Sequence, residues 1–135
     1  MKEQIVQYET SKLLKEIGFN YPVINQYIGD KLYLGKDFTL CDPIDVNSDA
    51  KDRDVYSAPT QSLAQKFLRE KYGIVVTIDT VWDYNNLPPI FEGYRYRISF
   101  VKYVYEVGES EICKTFDEAL EKGIRKGIKI VKDGK

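Results

Sequence analysis

The chain has 135 residues, 43% of them hydrophobic and 30% charged, a profile that suits a globular domain able to bury a core without disulfides or metals. Its 20 Lys and Arg side chains nearly balance 21 Asp and Glu, so no long-range field draws the whole molecule onto nucleic acid or an anionic membrane. Histidine is absent, which excludes Ser-His-Asp and Cys-His catalysis, imidazole metal ligation and the commonest general base near neutral pH.

At the N-terminus, Lys2, Glu3 and Gln4 stand where a signal peptide would carry its apolar run, and no stretch reaches the roughly 18 apolar residues of a membrane span. A cytoplasmic protein with no membrane partner is expected. The first helix is predicted from Glu9 to Ile17, with Leu13, Leu14 and Ile17 on one face and Gly18 at the left-handed cap. Val23–Ile28 and Lys31–Leu34 flank Gly29-Asp30, a two-residue hairpin signal. A polar loop follows over 37–56. Pro59 suits the first position of a second helix, whose buried face is Leu63, Ala64, Phe67, Leu68 and Tyr72 before Gly73 ends it.

Period two then takes over. Ile74, Val76, Ile78, Trp82 and Tyr84 alternate with Thr77, Asp79 and Asp83, and after the loop Asn85–Pro89 a second strand carries Tyr94, Tyr96, Ile98 and Phe100 against Arg95, Arg97 and Ser99. The parity changes near Lys102, which predicts a bulge or bend, and Gly108-Glu109 is expected to turn the chain into a short strand near Glu111–Cys113. The third helix opens at Thr115 with Glu118 at capping-box spacing and runs through an apolar stripe to Val131. Gly123 and Gly127 lie inside that stripe, each costing about 1 kcal/mol of helix propensity relative to alanine, and close packing is the natural compensation. The expected fold is α+β, a single domain over 1–135 in the order α-β-β-α-β-β-β-α, with helices mainly on one face of an antiparallel sheet of three to five strands.

Three segments carry a family resemblance: Glu9–Phe19, Tyr56–Glu70 and Thr115–Gly123. Together they make the chain resemble small uncharacterised proteins encoded by phages and prophages of Bacteroides-like gut bacteria. The resemblance implies a mobile-element origin and an intracellular site of action, and it assigns no residue a role.

Residues that could carry chemistry are few. Cys41 and Cys113 are far apart and read as reduced thiols, and without histidine they cannot build a four-ligand zinc site. No phosphate loop or dinucleotide fingerprint is present, so no cofactor is expected. Asp45-Val46-Asn47-Ser48-Asp49 begins like a calcium loop, but Ala50 replaces the turn glycine and Tyr56 the bidentate glutamate. Asp79 and Asp83 share a strand face and read as solvent-facing acids. Lys122, Arg125, Lys126, Lys129 and Lys132 follow Asp117, Glu118 and Glu121 along the third helix, an order the helix dipole explains.

The unusual feature is aromatic usage. Tyr94, Arg95 and Arg97, followed by Tyr103 and Tyr105, form a candidate interaction patch that suits a protein interface, in which tyrosine and arginine are enriched anchors. The leading reading is a non-enzymatic accessory protein that binds a host or phage protein. A nucleic-acid-binding module is the alternative, because a helix, three antiparallel strands and a helix over 59–131 follow the order of double-stranded RNA-binding domains. Asp117 and Glu118 oppose it, occupying the helix turn in which those domains place cations. A small histidine-free enzyme is the third class.

Overall fold

Ten elements succeed one another in the computed structural model, which describes residues 4–35, 43–49, 53–101, 106–109 and 111–134, with side chains for all of these except 49 and 106–109. They are α1 (Tyr8–Glu16), β1 (Gln26–Ile28), β2 (Lys31–Tyr33), α2 (Val46–Asp49), β3 (Val55–Ser57), α3 (Gln61–Tyr72), β4 (Ile74–Asp83), β5 (Ile90–Phe100), β6 (Glu106–Glu109) and α4 (Phe116–Asp133). The fold is α+β, as the alternating periods predict. Its strands form two three-stranded antiparallel sheets, β2-β1-β3 and β4-β5-β6, where the sequence suggested one. Contacts divide the chain into two compact units, Met1–Phe67 and Leu68–Gly134, with α3 contributing residues to both.

In the first unit, α1 closes as its sequence dictates. Gly18 takes a positive φ of 89°, its N–H bonds to Lys15 O and that of Phe19 to Leu14 O, so the last carbonyls of the helix are satisfied. The hairpin turns at Gly29, with φ 60°, and pairs Gln26 with Tyr33 and Ile28 with Lys31. Beyond the hairpin, the expected polar loop needs correction. Within 37–56, Val46–Asp49 is helical, Val55–Ser57 pairs with β1, and Val46 and Asn47 are buried. Asn47 explains this order: its Nδ2 donates to Phe19 O at 2.9 Å and its Oδ1 accepts from Ser57 N at 2.8 Å, tying α2 to the chain just after α1 and to β3.

In the second unit, α4 lies on the β4-β5-β6 sheet. Thr115 caps it by accepting from Glu118 N at 3.1 Å, as its spacing predicts. A Cβ placed on Gly123 would sit 2.6 Å from Val76 Cγ1 and 2.9 Å from Tyr96 Cβ; one on Gly127 would sit 3.1 Å from Leu68 Cδ1. The glycines therefore bring the helix onto the sheet, above a core of Leu68, Ile74, Val76, Ile98, Leu120 and Ile124. Two strand expectations are corrected. Gly108 and Glu109 continue β6 rather than turning the chain, and residues 111–113 supply only an isolated bridge between Cys113 and Tyr94. The parity change near Lys102 falls outside the described residues; the irregularities that are described sit at Val81/Trp82 against β5 and at Arg97/Ile98 against β6.

A candidate docking surface at the end of the long hairpin

The β4–β5 hairpin outruns its helix cover. Trp82, Phe91 and Phe116 are 41%, 42% and 48% exposed. These three rings and Tyr94 touch in sequence, edge to face. Trp82 and Phe91 have centroids 5.1 Å apart, Phe91 and Tyr94 5.2 Å, and Tyr94 and Phe116 6.0 Å.

Strand parity would place Phe91 and Tyr94 on opposite faces of β5. A bulge brings them together: Val81 pairs with Gly93 and Trp82 with Phe91, so Glu92 has no partner in β4 and the parity of β5 reverses there. Gly93, at φ 145°, completes the arrangement. A Cβ on it would run into Cys113 O and Ile112 Cγ2, and its absence lets Cys113 bridge Tyr94 through hydrogen bonds of 2.8 and 2.6 Å. That bridge sets Phe116 beside Tyr94. The indole N–H of Trp82 donates to Thr80 Oγ1 at 3.1 Å, so the ring is held with its polar edge satisfied and its face open. At the hairpin tip, Asp83 accepts from Asn85 N and from Asn86 Nδ2, reversing the chain beneath Leu87, which is 94% exposed.

Of the expected patch, Tyr94, Arg95 and Arg97 lie on β5. Tyr94 belongs to the aromatic row, whereas Arg95 and Arg97 alternate onto the opposite face, because successive strand side chains point oppositely. There Arg97 pairs with Asp79 at 2.9 Å, so Asp79 is engaged across the strands while Asp83 serves the turn, and the two acids act separately. Tyr103 and Tyr105 lie outside the described residues, and β5 has ended at Phe100 before them. Phe91 was missed because its number has the wrong parity. The Glu92-Gly93 pair, an acid before a glycine inside an apolar strand, was the signal that could have found it.

In the first unit, the residues of the expected calcium-like loop are engaged locally. Asp45 caps α2, accepting from Ser48 N at 3.2 Å and Ser48 Oγ at 2.5 Å, and Asn47 turns inward, so neither projects as a calcium loop requires. Among the described residues no three His, Cys, Asp or Glu side chains are grouped to hold a metal. Cys113 is a buried free thiol, and Cys41 lies outside the described residues.

In the first unit, Lys15 lies along an open cleft of about 460 Å³ with Gly18, Phe19, Asn20, Asn47 and Ser48. Its Nζ donates to Arg53 O and Val55 O and stands 5.1 Å from the Tyr56 ring centroid. Tyr56 donates to Asp54 at 2.6 Å, and this hydrogen bond to a carboxylate is the first cause that pushes its phenol up to about 12.

No helix among the described residues is long and apolar enough to cross a membrane. The chain matches no family model, no curated protein and no solved structure.

Proposed function

We propose that the chain is a non-enzymatic protein-binding module, of the phage or prophage accessory kind implied by its sequence resemblance, and that it docks a host or phage protein on the aromatic end of the β4–β5 hairpin. The observation that supports this reading is the contiguous row Trp82–Phe91–Tyr94–Phe116, held in fixed edge-to-face geometry yet open to water. Isolated exposed apolar side chains are ordinary, but a contiguous apolar patch is the mark of a surface that is covered in use. Tryptophan and tyrosine are the enriched anchors of interfaces, and rings already locked against one another lose little further entropy on binding.

Affinity capture from the natural host tests the assignment with two variants. Trp82→Ser/Phe91→Ser should lose a partner that wild type enriches, whereas Arg95→Ala/Arg97→Ala/Tyr105→Ala should keep it. The reverse pattern would return the site to the Tyr/Arg patch and refute the aromatic end.

A further inference from the structure

The same end of the hairpin carries a charge bias that the chain as a whole lacks. The stretches that build it, 82–92 and 111–118, contain Asp83, Glu92, Glu111, Asp117 and Glu118 against the lone cation Lys114. Lys122, one turn further along α4, offsets Glu118 at 3.6 Å, and the bias persists. Over all 135 residues the count is 21 acids to 20 bases, so this rim is a local departure from balance. Glu92, Glu111, Asp117 and Glu118 are all exposed, so they can ring an incoming surface. Of the remaining cations, Lys129 and Lys132 sit near the far end of α4, and Arg97 lies on the opposite sheet face with Asp79.

Resting on the docking surface proposed above, we infer that its occupant is a cationic amphipathic segment, a stretch of Lys or Arg flanking apolar side chains. The apolar side chains cover Trp82, Phe91 and Phe116, and the cations meet the carboxylate rim. Complementary potentials of this kind speed encounter and reject wrong partners, because like charges brought together across an interface are penalised. That same penalty removes two other occupants. A second copy docked face to face would set acidic rim against acidic rim, and nucleic acid would bring phosphates to carboxylates.

Trp82 is the only tryptophan, so its emission reports occupancy of the site directly. The probes are a Leu/Lys amphipathic helical peptide, a Leu/Glu twin with the same apolar pattern and a Ser/Lys twin with the same charges, titrated into the intact chain. The Leu/Lys peptide should shift the emission at the lowest concentration, with both twins weaker by about tenfold or more. Its affinity should fall with added salt, and Phe116→Ser should abolish the response while Glu92→Lys/Asp117→Lys inverts the preference between Leu/Lys and Leu/Glu. Equal response to Leu/Lys and Leu/Glu would overturn the cationic partner and leave the docking surface standing. Silence with every peptide would overturn both. Concentration-dependent dimerisation lost in Phe116→Ser, or a blue shift on neutral phosphatidylcholine vesicles without peptide, would replace the proposed occupant by a second copy or by a lipid surface.

Discussion

One sheet face of the second unit is built in two ways. Towards Ile74 and Ile98 it lies beneath α4, which Gly123 and Gly127 bring within van der Waals range of Val76 and Leu68. Towards Trp82 and Phe91 it continues with equally apolar side chains past the start of that helix, and those side chains meet water. Apolar side chains therefore recur along the whole face, broken on β4 at Thr80, while their use differs between its ends. The covered half stabilises the fold by removing apolar area from water, at about 25 cal/mol per Å². The open half keeps that gain in reserve for a partner, which is how a binding surface differs energetically from a core.

The largest effect that separates the two halves is a core truncation. Ile98→Ala removes a fully buried side chain from the covered half and should cost about 2–5 kcal/mol of unfolding free energy in urea. Trp82→Ser/Phe91→Ser deletes far more apolar volume from the open half, yet should cost less than Ile98→Ala, because both rings are already partly in water. Comparable losses in the two would show that the aromatic row is core and would remove the docking surface.

The glycines sharpen the comparison at a smaller scale. Gly123→Ala presses a methyl into Val76 and the Tyr96 Cβ, which are anchored on the sheet, and overpacking should cost about 1–3 kcal/mol. Gly127→Ala meets the far end of Leu68, a flexible side chain, so the gain of about 1 kcal/mol in helix propensity largely offsets a mild contact. Thermal unfolding should therefore rank Gly123→Ala clearly below Gly127→Ala. Equal stabilisation by both would mean that α4 is not held close to the sheet.

Much of this architecture was legible in the residues. The Thr115 cap, the Gly18 and Gly29 turns and the alternation from Ile74 to Val76 each rest on a local rule, and local rules survive folding. What escaped was set by contacts distant in sequence. Asn47 orders α2 and β3 through Phe19 and Ser57, 28 and 10 residues away, and no pattern inside 37–56 announces it. The candidate site escaped for a related reason. Its members sit at Trp82, Phe91, Tyr94 and Phe116, and only a one-residue bulge at Glu92 and the Cys113 bridge bring them onto one face. The candidate patch grouped Tyr94 with Arg95 and Arg97 because they share one strand, and alternation along that strand sets the two arginines on the face opposite Tyr94.

The smallest expected effect contrasts the halves through tyrosine chemistry. Tyr96 lies under Gly123 in the covered half, and burial there is the first cause that raises its phenol above the ordinary tyrosine value; the neighbouring Cys113 and Glu111 act in the same direction and Lys122 opposes them. The folded chain therefore holds the Tyr96 proton more tightly than the unfolded chain does. Below about pH 10 both states keep it and stability is unaffected, whereas above that value the unfolded state releases it first and stability falls until the folded phenol also ionises. Lysines titrate in the same range, so the wild-type slope alone is ambiguous. Tyr96→Phe preserves the ring and deletes the proton, so the difference between the two unfolding free energies should be flat up to about pH 10 and then move in favour of the variant as pH rises. A difference that stays flat beyond pH 10 would mean that water reaches the phenol, and that α4 does not seal the sheet as far along as Tyr96.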